Sequence, residues 1–438
     1  MWWLSVARFA VQKLGVRSSA EQEDYFFDEV STVARDFGPA PAGTIGHPDW
    51  HRAGQALVPG HDRQHADELV YTAFDASQPV EHPAGLRGRD ADLNALLVGV
   101  ILRRNHGIVA GRRGSGKTSL VRSFGQCADS DGAVVLYSAC DNGTSFGDLM
   151  RDYLGQIPTS SLDPEDVIDY GKRVRALRPD ATPNQVTSLW EKVRFSQVII
   201  ICDEFDRVTQ RDLQSKIASL MKLLSDSRLP IRFLLAGDRS AFENIIRGHA
   251  SLSRHVTLVR TDPLSAQAMS DLLEDCAHRC GLAFSPDGLA LLCDVACGSP
   301  YHARLFGLHA ALTTLGGHSR MIGSSEVLAG LTSAFEEWSL LNEESSHSCL
   351  AIARGAHGDP APFVAIARLV AETSGDVGEA TPMFLTAEQQ RALGPVLEST
   401  KGLVQFRDPV APQFLVAICR VVATATTAPF VQRGLTRA

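Results

Sequence analysis

The 438-residue chain lacks any uninterrupted apolar stretch near the roughly twenty residues that a membrane-spanning helix needs. It also lacks a secretion signal, because Arg8 and Lys13 interrupt any apolar core at the amino terminus. Strong charge of one sign is missing too. A formal net charge of −8 gives no general attraction to nucleic acid or to an anionic membrane surface, so any DNA contact requires a local patch. No internal repeat is evident. The nine cysteines (Cys127, Cys140, Cys202, Cys276, Cys280, Cys293, Cys297, Cys349 and Cys419) lie in apolar segments and are odd in number. That usage suits a reducing cytoplasm better than a disulfide framework. Cys276 with Cys280 and Cys293 with Cys297 read as small buried thiols, since structural zinc pairs use tighter knuckles. His47 with His51 and His61 with His65 fall in a Pro/Gly-rich stretch and read as solvated.

What is present is ordinary material for a core: 44% hydrophobic and 21% charged residues, in a chain long enough for two to four domains. Against that background one segment stands out. Gly111-Arg112-Arg113-Gly114-Ser115-Gly116-Lys117-Thr118 spells G-x-x-x-x-G-K-[ST] directly after the strand-like run Ile108-Val109-Ala110. Its glycines let consecutive N–H groups turn inward around phosphates, and a helix opening at Lys117, continued by Ser119 and Leu120, adds its positive dipole end. Lys117 is expected to reach the β- and γ-phosphates and the Thr118 hydroxyl to ligate Mg2+. About ninety residues on, Val198-Ile199-Ile200-Ile201-Cys202 runs into Asp203-Glu204, the pattern of a buried parallel strand ending in two carboxylates. Asp203 is expected to hold the magnesium shell and Glu204 to polarise a water for attack on the γ-phosphate. Asp206 has no assigned role.

Along the chain, residues 1–74 read as an extension with an amphipathic start (Trp2, Trp3, Val6, Phe9, Leu14) and a loop-rich stretch from Phe37 to Asp67. From 75 to 262, strand-like runs at Ile108–Ala110, Ala133–Tyr137, Val198–Cys202, Ile231–Ala236 and Val256–Val259 alternate with helical ones. The fold class is therefore α/β, a parallel sheet with helices on both faces. Residues 263–345 carry helical periodicity at Ser265–Cys280, Asp287–Cys297 and His302–Leu315, a helical lid. Residues 346–438 offer helices at Ser348–Ala353, Pro362–Glu372 and Ala387–Leu397, an apolar Gly402–Phe406 and a last helix from Pro412. That order is compatible with a winged helix. Eight basic and seven acidic residues give this region a net charge of +1, a poor electrostatic footprint for DNA.

In this order the motifs resemble the AAA+ P-loop ATPases of the origin-recognition-like branch, overlapping the STAND-type signalling ATPases. Gly88-Arg89-Asp90-Ala91-Asp92-Leu93 resembles the family's box near the adenine, which implies an adenine-side role for Arg89. Gly298-Ser299-Pro300 resembles the G-x-P signature of the lid, and Arg304 a sensor 2 arginine. Gly248 to Arg254 resembles the segment that ends in the arginine finger, making Arg254 a candidate acting in trans. At the sensor 1 position the family usually has Asn, Thr or Ser, whereas this chain has Gly237-Asp238-Arg239. Arg239 is the competing candidate, reading the γ-phosphate in cis. An Asp facing the γ-phosphate would repel it, so Asp238 either points elsewhere or slows hydrolysis.

The resemblance and the motifs together imply an ATP-binding, ATP-hydrolysing switch that uses Mg2+. No base-reading N-K-x-D motif for guanine is visible. Hydrolysis would release γ-phosphate contacts and let the lid move. Its output would be assembly with itself, with a protein partner or with DNA, in a cytoplasmic setting. The alternative is an ATP-licensed DNA-binding initiator or transposition helper acting through the carboxy-terminal winged helix. A phosphotransferase is less well served by Asp203-Glu204, which suits water activation.

Overall fold

The apolar runs at Val198 and Ile231 become the innermost strands of a sheet because each must be covered on both faces. The structure, a computed structural model, describes residues 61–194, 197–238, 241, 242, 245, 252–372, 394, 396–400 and 403–427. These lie in one compact unit, Val58–Ala438. In chain order, α1 (His61–Ala73) and α2 (Asp90–Leu96) precede β1 (His106–Ala110), α3 (Lys117–Ser130) and β2 (Val134–Ala139). Three helices follow, α4 (Phe146–Gly155), α5 (Val167–Arg175) and α6 (Pro183–Trp190). Then come β3 (Val198–Asp203), α7 (Arg211–Asp226), β4 (Ile231–Gly237) and β5 (Val256–Arg260).

The sheet order is β2-β3-β4-β1-β5, with every neighbouring pair parallel. Side chains alternate between its faces as the strand period of two requires. Ile199, Ile201, Leu234 and Ala236 share a core with Leu120, Val121 and Phe124 of α3. Val198, Ile200, Cys202, Phe233 and Leu235 pack on the other face with Met150 and Tyr153 of α4, Trp190 of α6 and Ile217 and Met221 of α7. Register brings the strand ends together: Ala110 pairs with both Gly237 and Arg260, and Ala139 with Asp203. Loops leaving β1, β3 and β4 therefore meet at the carboxyl edge, where open α/β sheets place their ligands.

Beyond the sheet lie α8 (Ala266–Arg279), α9 (Pro286–Ala296), α10 (Pro300–Gly316) and α11 (Ser324–Ser339). Serine starts the first three: Ser265, Ser285 and Ser299 each accept a backbone N–H three residues on, with Pro286 and Pro300 in the first turns. Next come α12 (Glu343–Ala353), α13 (Ala361–Glu372), an antiparallel hairpin of β6 (Leu397–Thr400) and β7 (Leu403–Phe406), and α14 (Ala411–Thr427). Lid and carboxy-terminal helices share one core containing Phe306, Trp338, Phe363 and Phe414, and α1 adds Val70 and Phe74 to it. Trp338 stacks on Phe414 with centroids 4.6 Å apart and donates its Nε1–H to Asp408 at 2.9 Å.

All five strand runs lie where the sequence places them. Helix α1 differs from expectation, since residues read as loop through Asp67 are helical from His61. The expected helix Ala387–Leu397 falls mostly outside the described residues, and Leu397 already opens β6. The amino-terminal amphipathic segment, with His47 and His51, also lies outside them. Among the described residues no helix is long and apolar enough to cross a membrane. Because one core spans lid and carboxy-terminal helices, Phe414→Ala is expected to cost about 3–5 kcal/mol and to destabilise both together. Denaturant unfolding followed by circular dichroism checks this; an unchanged midpoint contradicts it.

Candidate functional site

The loop after β1 is shaped by its glycines. Gly114 and Gly116 stand at φ of 80° and 91°, left-handed values that side-chain-bearing residues rarely adopt. The turn at Gly116 delivers the chain into α3 with Lys117 as its first residue. Free N–H groups and the positive end of the helix dipole therefore sit at the loop. Lys117 Nζ donates to the carbonyls of Gly111 (2.7 Å) and Arg112 (3.0 Å) and to Asp238 Oδ1 (3.3 Å). Thr118 follows in the same turn, partly exposed. Ser115 is buried, its hydroxyl 2.7 Å from that of Thr261 just past β5.

Arg89 braces the loop from behind. It is only 6% exposed, and its Nη2 donates to the carbonyls of Ser115 (2.9 Å) and Asp262 (2.5 Å) while Nη1 meets Asp92 at 3.1 Å. Burial pulls the guanidinium pKa down and pushes the Asp92 carboxyl up, each opposed by the other's charge. Arg89, for which the resemblance implies an adenine-side role, is in the structure the fastener between loop, α2 and the exit of β5. Ser119 turns to the segment before the loop, its hydroxyl accepting the Val80 N–H at 3.0 Å.

At the end of β3, Asp203 is 2% exposed. Its Oδ2 accepts from the Tyr137 hydroxyl at 2.9 Å and its Oδ1 from the Glu204 N–H at 2.9 Å. Burial, with the Asp203 charge beside it, pushes the Tyr137 phenol up to about 12, so it remains a donor. Arg122 covers that ring, 4.5 Å from its centroid. Glu204 adopts φ 52°, an uncommon conformation for a residue with a side chain, and pairs with Arg207 at 3.1 Å. Asp206 Oδ1 accepts the Asp238 N–H at 3.2 Å.

The lid reaches the loop through the start of α10. The Tyr301 N–H and the Ser299 hydroxyl lie 3.5 Å and 3.4 Å from the Gly114 carbonyl. His302 is buried, and burial pulls its pKa down to about 3, so the ring is neutral. Its partners assign the tautomer: Nε2–H donates to the Val410 carbonyl (3.1 Å), and Nδ1 accepts the Ser299 hydroxyl (2.8 Å). Arg112 Nη1 donates to the Val370 carbonyl in the last turn of α13. Arg112, Arg113, Ser299, Ala371 and Gln413 help to line a cavity of about 20 Å3, room for a single water.

Other sequence candidates lie apart. Arg304 points away from the loop and donates to the Asp75 carbonyl at 3.1 Å, because it falls on the α1 side of α10. Pro300 approaches the loop at Gly116. Arg254 is exposed on the turn Leu252–His255, and Arg239 lies outside the described residues. Tyr301 and His302 are site neighbours that sequence reading missed, and Asp92, quoted there only as part of a box, is the partner of Arg89. The Ser299-Pro300 helix start was the available signal for the first two.

Residues 101–246 match the family model described as an AAA domain. No curated protein matches the chain. Among solved structures, it is similar to the Aeropyrum pernix ORC2 protein in ADPNP-ADP complexes at 15% identity, over 81% of this chain and 98% of that one, with a TM-score of 0.46. The Walker-type ATPase of Pyrococcus abyssi is similar at 15% identity over 78% and 99%, TM-score 0.47. The Thermotoga maritima RuvB Holliday junction branch migration motor is similar at 14% identity over 75% and 95%, TM-score 0.41. At these scores the likenesses decide nothing about function.

His302 is neutral in the folded chain down to about pH 3 but takes its proton near 6.5 when unfolded. The unfolded state then binds more protons between those values, so stability falls as pH is lowered through that window. His302→Gln is expected to flatten this decline, measured as unfolding midpoints between about pH 7 and 4; curves parallel to the parent contradict it.

Proposed function

We propose that this chain, whose residues 101–246 match the model of an AAA domain, is an ATP-binding, ATP-hydrolysing switch in which nucleotide state sets the contact between the phosphate loop and the lid with its carboxy-terminal helices. The observation that carries the reading is that the loop is bonded to both. Arg112 holds the end of α13, while Gly114 meets the start of α10, whose His302 holds the Val410 carbonyl ahead of α14. A phosphate group entering the loop takes its N–H groups and Lys117, which now donates to the Gly111 and Arg112 carbonyls, so binding and release act on the same loop whose Gly114 carbonyl and Arg112 side chain meet the lid.

In this reading the loop N–H groups and Lys117 bind the phosphates. Thr118 and Asp203 offer hard oxygen donors of the kind Mg2+ prefers, and Asp203 is already fixed by Tyr137. When bound, the cation neutralises charge on the phosphate oxygens. Glu204, released from Arg207, orients and polarises the attacking water. Arg254, exposed on its turn, is available to a second copy as an arginine finger; Arg239 is the candidate in cis. The output is assembly with copies of itself, a protein partner or DNA through the carboxy-terminal helices and hairpin, for which we propose a winged-helix role.

ATP binding and turnover across a protein-concentration series test the reading. Glu204→Gln is expected to retain ATP and lose on the order of 10²–10⁴ in turnover, and Lys117→Ala to lose binding. Turnover that rises with concentration and collapses in Arg254→Ala assigns the finger in trans. A parent protein that binds no Mg-ATP at millimolar concentration overturns the reading.

A further inference from the structure

Asp238 leaves the end of β4 at the mouth of the phosphate loop. It is fixed at two atoms: its N–H donates to Asp206 Oδ1 at 3.2 Å, and its Oδ1 accepts from Lys117 Nζ at 3.3 Å. Lys117 is 13% exposed and the Asp238 side chain 46%, so the pair joins the inner wall of the site to its open mouth. The other two hydrogen bonds of Lys117 go to the Gly111 and Arg112 carbonyls, leaving Asp238 as the one carboxylate on this ammonium among the described residues. Asp206 adds a second negative charge on the same side, and Arg112 is the nearby cation that partly offsets it.

A triphosphate in a loop of this kind places its β- and γ-phosphates against the lysine. The γ-phosphate must then enter the space beside Lys117 that the Asp238 carboxylate already occupies. A diphosphate ends one group short, so its β-phosphate can take the loop N–H groups while Lys117 keeps Asp238. Like charges about 4 Å apart in a partly buried setting repel strongly enough to move an affinity by about a power of ten or more.

We propose that Asp238 makes this a diphosphate-preferring site, a carboxylate discriminator that holds Lys117 against the γ-phosphate so that ADP is retained more tightly than ATP. The inference rests on reading the loop as a nucleotide site. Calorimetric titration of the full chain with Mg-ADP and with a non-hydrolysable Mg-ATP analogue tests it, using the parent, Asp238→Asn and Asp238→Glu. The parent is expected to bind ADP about tenfold or more tightly than the analogue. Asp238→Asn should tighten the analogue by about tenfold and move ADP by less than about threefold, whereas Asp238→Glu keeps the parent's preference. Equal affinities in the parent, or equal shifts of both nucleotides in Asp238→Asn, overturn the inference and leave the nucleotide site standing. Weaker analogue binding in Asp238→Asn overturns it differently, by making Asp238 a group that supports the triphosphate. If the folded parent binds neither nucleotide, the underlying reading fails and this inference with it.

Discussion

The buried guanidinium of Arg89 is the constraint on which the rest of the site depends. A loop built to point N–H groups outward at an anion must point carbonyls somewhere else, and buried carbonyls need donors. Arg89 supplies them to Ser115 inside the loop and to Asp262 where β5 hands over to the lid, and it is itself neutralised in part by Asp92 of α2. One planar fork with donors in fixed directions does this; a lysine at the same place would offer a single point of charge. The loop therefore cannot shift without moving the first residues of the lid hinge. That linkage gives nucleotide binding a mechanical consequence before any lid contact is considered.

Most of the sheet was legible because its central strands are covered on both faces, which turns Val198–Cys202 and Ile231–Ala236 into unbroken apolar runs. The phosphate loop and Asp203-Glu204 were legible for a different reason, since they need particular residue types at fixed spacing. Helix α11 escaped notice although Val327, Leu331, Ala334, Phe335 and Trp338 repeat at helical spacing after Gly323. Helix α10 is packed by α1, by the other lid helices and by α14, so it is apolar on most sides and the sequence gives little clue to which face meets the loop. For that reason Arg304 could be placed on the right helix and yet on the face that meets Asp75, while Ser299, Tyr301 and His302 take the loop side. Side-chain direction on a helix end follows from packing, which spacing alone does not encode.

The lid contacts are weak one by one. The bonds to the Gly114 carbonyl are 3.4 Å and 3.5 Å long, near the limit of a useful hydrogen bond, whereas the bond from His302 Nε2–H to the Val410 carbonyl, which ties α10 to the segment before α14, is 3.1 Å. The Ser299 hydroxyl has one proton, and His302 Nδ1 at 2.8 Å claims it ahead of the Gly114 carbonyl. Separation is therefore expected between loop and lid, with α10, α11 and α14 moving as a body around the Trp338–Phe414 stack. A body with its own continuous core transmits motion instead of absorbing it.

Glu204 shows the same economy on the catalytic side. Its left-handed backbone stores strain of order 1–3 kcal/mol, held in place by its own N–H bond to Asp203 and by the turn that follows β3. An ion pair with Arg207 draws the carboxylate along the surface, so the acid is set at the strand end while its side chain is occupied elsewhere. An exposed ion pair of this kind is worth only about 0–1 kcal/mol, less than a nucleotide with its associated charge can gain by recruiting the carboxylate. Strain fixes where Glu204 is, and a weak pair lets its side chain leave. Asp238 is likewise tied at its N–H and its carboxylate, but its partner is Lys117 of the loop instead of a surface arginine, so it is the acid a phosphate chain has to accommodate.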